Sequence, residues 1–101
     1  MLRIEIHDAA NTLIMRPEGR FVAEFAEEAR AVMTRSKAPL KVLVDLSEVT
    51  FVDSVGEEVL SWLSRIGGEF VAGTSYSLDV CERLHLPLAR KRAESSSLRH
   101  S

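Results

Sequence analysis

Leu2, Ile4 and Ile6 alternate with Arg3, Glu5 and His7 at the start of the chain. A period of two predicts a half-buried strand there. Residues 8–11 carry turn chemistry, and Asn11 tolerates unusual backbone angles. Residues 12–15 read as a second strand, and the short polar connection predicts a hairpin. Residues 17–19, with Pro17 and Gly19, break that strand. From residue 21 to 34 the period changes to that of a helix. Phe21, Phe25, Ala29 and Val32 fall on one face, flanked by Val22 and Met33, and Glu24, Glu27, Glu28 and Arg30 fall largely on the other. Glu27 and Arg30 form a candidate i,i+3 pair worth about 0.3 kcal/mol when exposed. Residues 36–39 end the helix.

Residues 40–46 are almost continuously apolar, interrupted only by Lys41 and Asp45. Such a run predicts a central strand covered on both faces. Residues 47–53 read as a loop with two apolar anchors, Phe51 and Val52. A second helical stripe follows over 54–66, with Val55, Val59, Leu63 and Ile66 on one face and Leu60 and Trp62 beside it. Gly67 and Gly68 supply the stop, and Arg65 lies in the last turn, where the helix dipole favours a cation. Residues 69–72 predict a short strand and 73–75 a turn. Leu78, Cys81 and Leu84 mark a third helix, which Pro87 closes. The order β-β-α-β-α-β-α predicts an α/β fold: a mixed four-stranded sheet with about three helices packed on it and parallel pairing after the opening hairpin. Residues 1–88 form the expected single domain, and 89–101 a polar, partly basic tail or weak final helix.

Composition narrows the functions. A chain of 101 residues fits one domain, and at 46% hydrophobic and 28% charged it is too apolar for a disordered one. The net charge of -2 leaves no general electrostatic footprint for nucleic acid or an anionic membrane. The basic run Arg90, Lys91 and Arg92 reads as a solvated tail. No apolar run approaches a membrane span, and the first residues lack the apolar core of a signal peptide. The single cysteine, Cys81, rules out a disulfide within the chain and suits a reducing compartment, so a cytoplasmic setting is expected.

Several candidate chemistries have bland readings. His7, His85 and His100 lie far apart with no ligand at metal spacing. Cys81 falls on the apolar side of its helix, as a small hydrophobe rather than a nucleophile. Trp62 sits off the main stripe, either as an exposed anchor for a partner or as cover for the core's edge, and the edge is expected. The glycines make no dinucleotide or phosphate-loop pattern. No cofactor is expected, and no constellation of acid, base and nucleophile suggests an enzyme.

The information concentrates between residues 42 and 58. An apolar strand runs through Asp45, Leu46 and Ser47 into Asp53-Ser54-Val55-Gly56-Glu57, the start of a helix. Ser54 and Glu57 have the Ser-x-x-Glu spacing of a capping box, with Asp53 as a second candidate cap or a hydrogen-bonded turn. Gly56 costs roughly 1 kcal/mol relative to alanine in a helix, so its presence implies that something approaches the backbone closely, either a neighbouring loop or a partner.

Taken in register, this segment resembles the signature of the STAS family, to which the anti-sigma factor antagonists belong. The resemblance extends to Gly19 with Phe21 before the first helix, Gly67 and Gly68 before the next strand, and Ser75 with the 78–84 helix. It implies a STAS-like fold and a non-catalytic regulatory module that docks a protein partner, an anti-sigma factor or serine kinase-like regulator. It implies further that Asp53, Ser54, Val55, Gly56 and Glu57 form the docking and regulatory helix start. In the switching members of the family, a kinase-type anti-sigma factor phosphorylates the serine or threonine just before the motif glycine. Here that residue is Val55, which has no hydroxyl, and Glu57 stands where apolar residues are common. The expectation is therefore a docking face without the usual serine phosphoswitch. Ser54 is the alternative acceptor, opposed by Asp53, Glu57 and Glu58, whose charges a phosphate would face. The alternative role is that of a STAS accessory subunit of a lipid or anion transport system. Neither role calls for nucleic acid or direct membrane insertion, and both leave a weak homodimer open.

Overall fold

The computed structural model describes residues 2–7, 12–35 and 41–89. The predicted connections at 8–11 and 36–39, the basic run Arg90 to Arg92, His100 and the tail beyond residue 89 lie outside the described residues, as does the side chain of His7.

The chain runs β1 (Leu2–His7), β2 (Thr12–Pro17), β3 (Gly19–Phe21), α1 (Ala23–Arg35), β4 (Lys41–Asp45), β5 (Val49–Val52), α2 (Ser54–Arg65), β6 (Glu69–Val71) and α3 (Ser75–Leu84). Four strands form one mixed sheet in the order β1-β2-β4-β6. β1 pairs antiparallel with β2, as the hairpin pattern predicts. β2 with β4 and β4 with β6 are parallel, which requires the helices as crossovers.

One face of this sheet carries the core. Leu13 and Met15 of β2, Val42 and Val44 of β4 and Phe70 of β6 are buried and meet Ala26, Ala29, Val59, Leu60 and Leu63 from the helices. Burying a Val, Leu or Phe side chain stabilises by about 1.5–3 kcal/mol, so these positions hold the layers together. On β4 only alternate residues are fully buried, and Leu43 and Asp45 are partly exposed. The expectation of two covered faces is therefore corrected among the described residues. Asp45 belongs to the wetter face, where its carboxylate lies 3.5 Å from Arg16.

Two elements were not legible as strands. β3 and β5 form a separate two-stranded parallel sheet, so the segment read as a loop over 47–53 holds a strand, and the break at 17–19 leads directly into another. Phe21 ends β3 instead of opening α1; its spacing of four from Phe25 imitates a helical face. Val52 is buried as expected, but Phe51 points outward and is 43% exposed.

The helix ends follow local chemistry. At the end of α2, Gly67 adopts φ +101, a region that L side chains rarely enter. Its N–H donates to Ser64 O, and the Gly68 N–H donates to Leu63 O, the paired pattern of a Schellman cap. Ile66 is therefore a cap residue, 45% exposed, and not part of the buried stripe. α3 starts on a reciprocal capping box between Thr74 and Ser77. Its buried side consists of Ser77, Val80 and Cys81, and Leu78, read as part of that side, is exposed. His85 ends α3 in the left-handed region. After Pro87 the chain returns to the sheet: the Phe70 N–H donates to Pro87 O, and the Ala89 N–H donates to Phe70 O. Residues 87–89 thus lie along the open edge of β6.

Candidate functional site

The loop from β5 into α2 brings two helix starts together. Asp53 is the N-cap of α2, and its Oδ1 accepts the Gly56 N–H at 2.7 Å. Its Oδ2 accepts the N–H of Ala23, the first residue of α1, at 3.1 Å. A single carboxylate therefore holds the N-termini of both helices, where unpaired N–H groups and the helix dipoles favour negative charge. The cap was expected at Ser54. The structure corrects this: Ser54 is the first helical residue and its side chain is exposed. A serine hydroxyl has one oxygen to offer, whereas a carboxylate has two, and only the second arrangement reaches both helices.

Gly56 is buried at the contact between α2 and the end of β3. A Cβ built there would collide with the Phe21 carbonyl oxygen and lie 2.9 Å from Val52 Cγ1. The close approach inferred from this glycine is thus made by the chain itself. Gly56, buried and without a side chain, lets α2 seat on β3. Val55 is partly buried and packs against the core. Of the five predicted site residues, Ser54 alone is exposed; Asp53, Val55 and Glu57 are partly covered and Gly56 is buried.

Glu57 does not complete a capping box. Its Oε2 accepts from Arg83 Nη1 at 3.0 Å, and Arg83 Nε also lies 3.2 Å from Asp79 Oδ2, one turn earlier on α3. These hydrogen bonds, first that to Glu57 and then that to Asp79, push the Arg83 guanidinium above its ordinary pKa. α3 is tied to the same region by Tyr76, whose hydroxyl accepts the Val52 N–H at 2.9 Å. Cys81 is buried, and burial pushes its thiol above the ordinary value, in keeping with a small core residue.

Two arginine contacts were missed in the sequence because each joins distant segments. Arg20 of β3 places its guanidinium carbon 5.3 Å from the centre of the exposed Phe51 ring, two residues before Asp53. Arg30 of α1 lies over Trp62 at 5.2 Å, and Trp62 is partly buried against the core, at its edge. The predicted Glu27–Arg30 approach is present, but at 3.8 Å it exceeds hydrogen-bond distance. Across the outer face of α2 runs a shallow trough of about 480 Å³, lined by Ser54, Glu57, Glu58, Ser61 and Arg65, with Arg30 and Leu84 as its walls. No group of residues suited to holding a metal ion occurs among the described residues, and no described helix is long and apolar enough to cross a membrane.

The layers, strand order and helix placement are those of the STAS fold. The anti-sigma factor antagonist SpoIIAA in its unphosphorylated form is similar over 98% of this chain and 96% of its own, with a TM-score of 0.65 at 16% identity. A sulfate transporter family protein from Wolinella succinogenes matches 74% of this chain and 67% of its own, with a TM-score of 0.59 at 15% identity. The murine anion transporter Solute Carrier 26 family member A9 matches over 73% of this chain but only 14% of its own, with a TM-score of 0.56 at 19% identity. No protein-family model and no curated protein sequence matches the chain. At these identities the likeness is one of fold, and it meets the STAS resemblance read from residues 42–56.

Proposed function

We propose that this chain is a regulatory protein-interaction module that docks a partner through the start of α2, without the serine phosphoswitch of switching STAS antagonists. The observation that carries the reading is the double cap of Asp53 on Ala23 and Gly56. It fixes the α2 start against α1 and presents Ser54 outward, with Phe51, stacked on Arg20, shortly before it in sequence. Val55 offers packing area where a switching member offers a hydroxyl, so the face is constant. Its partner is a kinase-type anti-sigma factor or a related serine kinase-like regulator inside the cell. Similarity in fold to SpoIIAA along nearly the whole of both chains supports this reading.

The second reading is an accessory subunit of a transport system. It is favoured by the likeness to the sulfate transporter family protein. A photo-crosslinking residue at position 54, introduced in the source cells, separates the two. Crosslinking to a kinase-type regulator supports the docking module, and crosslinking only to transport components replaces it with the second reading. Mass spectrometry of the chain after incubation with that regulator then tests the constant face: phosphate on Ser54 would overturn it.

A further inference from the structure

The outward face of α2 carries charges that form no ion pair among the described residues. They are Glu58 and Arg65, both exposed. Seven residues apart, they lie on one face about 10 Å from each other along the helix. Midway between them stands Ser61, which like Ser54 lines the trough with a small side chain. Arg30 of α1 adds a second cation to the lining; it lies 3.8 Å from Glu27 and over Trp62, and its Nε has no hydrogen-bond partner among the described residues. The trough is thus acidic towards the start of α2 and basic towards its end. A surface of mixed sign does not suit nucleic acid or an anionic membrane, both of which call for one sign throughout.

This charge order is its own complement. When two α2 helices run antiparallel about a two-fold axis near Ser61, Glu58 of each faces Arg65 of the other. That is the condition for a symmetric interface, in which residue i meets j and j meets i. The helix dipole favours the same order of charges within each helix, and antiparallel packing turns that order into attraction between copies. We propose that this face pairs with the same face of a second copy of the chain, forming a weak, salt-sensitive homodimer. The pairing rests on two exposed ion pairs, each worth about 1 kcal/mol at most, hence a weak association.

The test needs only this chain, so its outcome is separate from that of the docking reading. Sedimentation velocity from micromolar to millimolar concentration would follow wild type, Glu58→Arg, Arg65→Glu, and an equimolar mixture of the two variants. Each substitution replaces two attractions with two repulsions and is expected to weaken self-association about thirtyfold. The mixture restores both pairs, because one chain then carries two arginines and the other two glutamates, and it is expected to recover the dimer. High salt is expected to dissociate wild type and mixture alike. Both residues are exposed, and far-UV circular dichroism confirms that the variants are folded. A wild type that stays monomeric at every concentration overturns the proposal, as do single variants that associate like wild type or a mixture that fails to recover the dimer.

Discussion

Replacing Asp53 with alanine removes the acceptor that two helix starts share. The bond from Gly56 N–H, at 2.7 Å and partly buried, is an N-cap, and losing such a cap costs about 1 kcal/mol. The bond from Ala23 N–H, at 3.1 Å and exposed, adds about 1 kcal/mol. The sum, about 2 kcal/mol, corresponds to a fall in Tm of about 10 °C for a domain of this size. Asparagine separates the two contributions. Its amide oxygen still accepts from Gly56, but its NH₂ group then faces the Ala23 donor. Asp53→Asn is therefore expected to lose about half as much, about 5 °C. Thermal unfolding followed by far-UV circular dichroism and by the fluorescence of Trp62, the only tryptophan, reads both variants, and coincident transitions support a two-state treatment. An alanine variant that melts with wild type would show that Asp53 does not join the helices. An asparagine variant as damaged as alanine would refute the division between the two bonds.

Gly56→Ala gains about 1 kcal/mol of helix propensity, but its Cβ meets a backbone carbonyl that cannot rotate away, and such overpacking costs up to about 3 kcal/mol. The expected result is a net loss of about 2 kcal/mol in urea unfolding; a neutral or stabilised variant would show that α2 is not seated on β3. Cys81 yields a pH dependence. Its folded pKa is raised by burial, so its contribution is complete below the unfolded value and is lost as pH rises from there through the folded value. The stability of wild type should fall more steeply with alkaline pH than that of Cys81→Ala, and equal slopes in a denaturant titration would refute the assignment.

Where a residue's role was set by its neighbours in sequence, the pattern was readable. The strand read from the alternation over 2–7, the stripe of α2 through Val59 and Leu63 and the glycine stop after Arg65 each depend on local spacing, and each is present. β3 and β5 were not readable, because strands of three and four residues are too short for a period to register. They exist only through pairing across about thirty residues, with Gly19 beside Val49 and Phe21 beside Val52. The same distinction runs through the site. Asp53 and Ser54 are both good caps by residue type, and the choice between them depends on the Ala23 N–H, thirty residues away. Gly56 announced a close approach, but only the fold showed that Phe21 makes it. Arg83 could be paired with Asp79 from their spacing of four, whereas its bond to Glu57 joins two helices and leaves no local signal.

Docking and self-pairing, as proposed, would draw on one helix. Ser54 would open the proposed docking face, and it lines the trough where Glu58 and Arg65 lie. A second copy seated over Ser61 would cover the start of α2 from the outside, so a chain engaged with its twin could not also receive a partner there. The two equilibria would be linked by mass action: the partner's apparent affinity falls by the fraction of chain held in dimer. A switching antagonist clears its docking face by covalent chemistry at the residue before the motif glycine. With Val55 in that place, control would pass to concentration and ionic strength, through charges that the helix dipole already favours. The separate variants divide the two functions. Arg65→Glu alters the far end of α2, about 16 Å along the helix from Ser54, and should release the face from self-pairing while leaving the docking end intact. If the partner bound this variant no better than wild type at concentrations where wild type is dimeric, the two surfaces would be independent, and self-pairing would have no part in regulation.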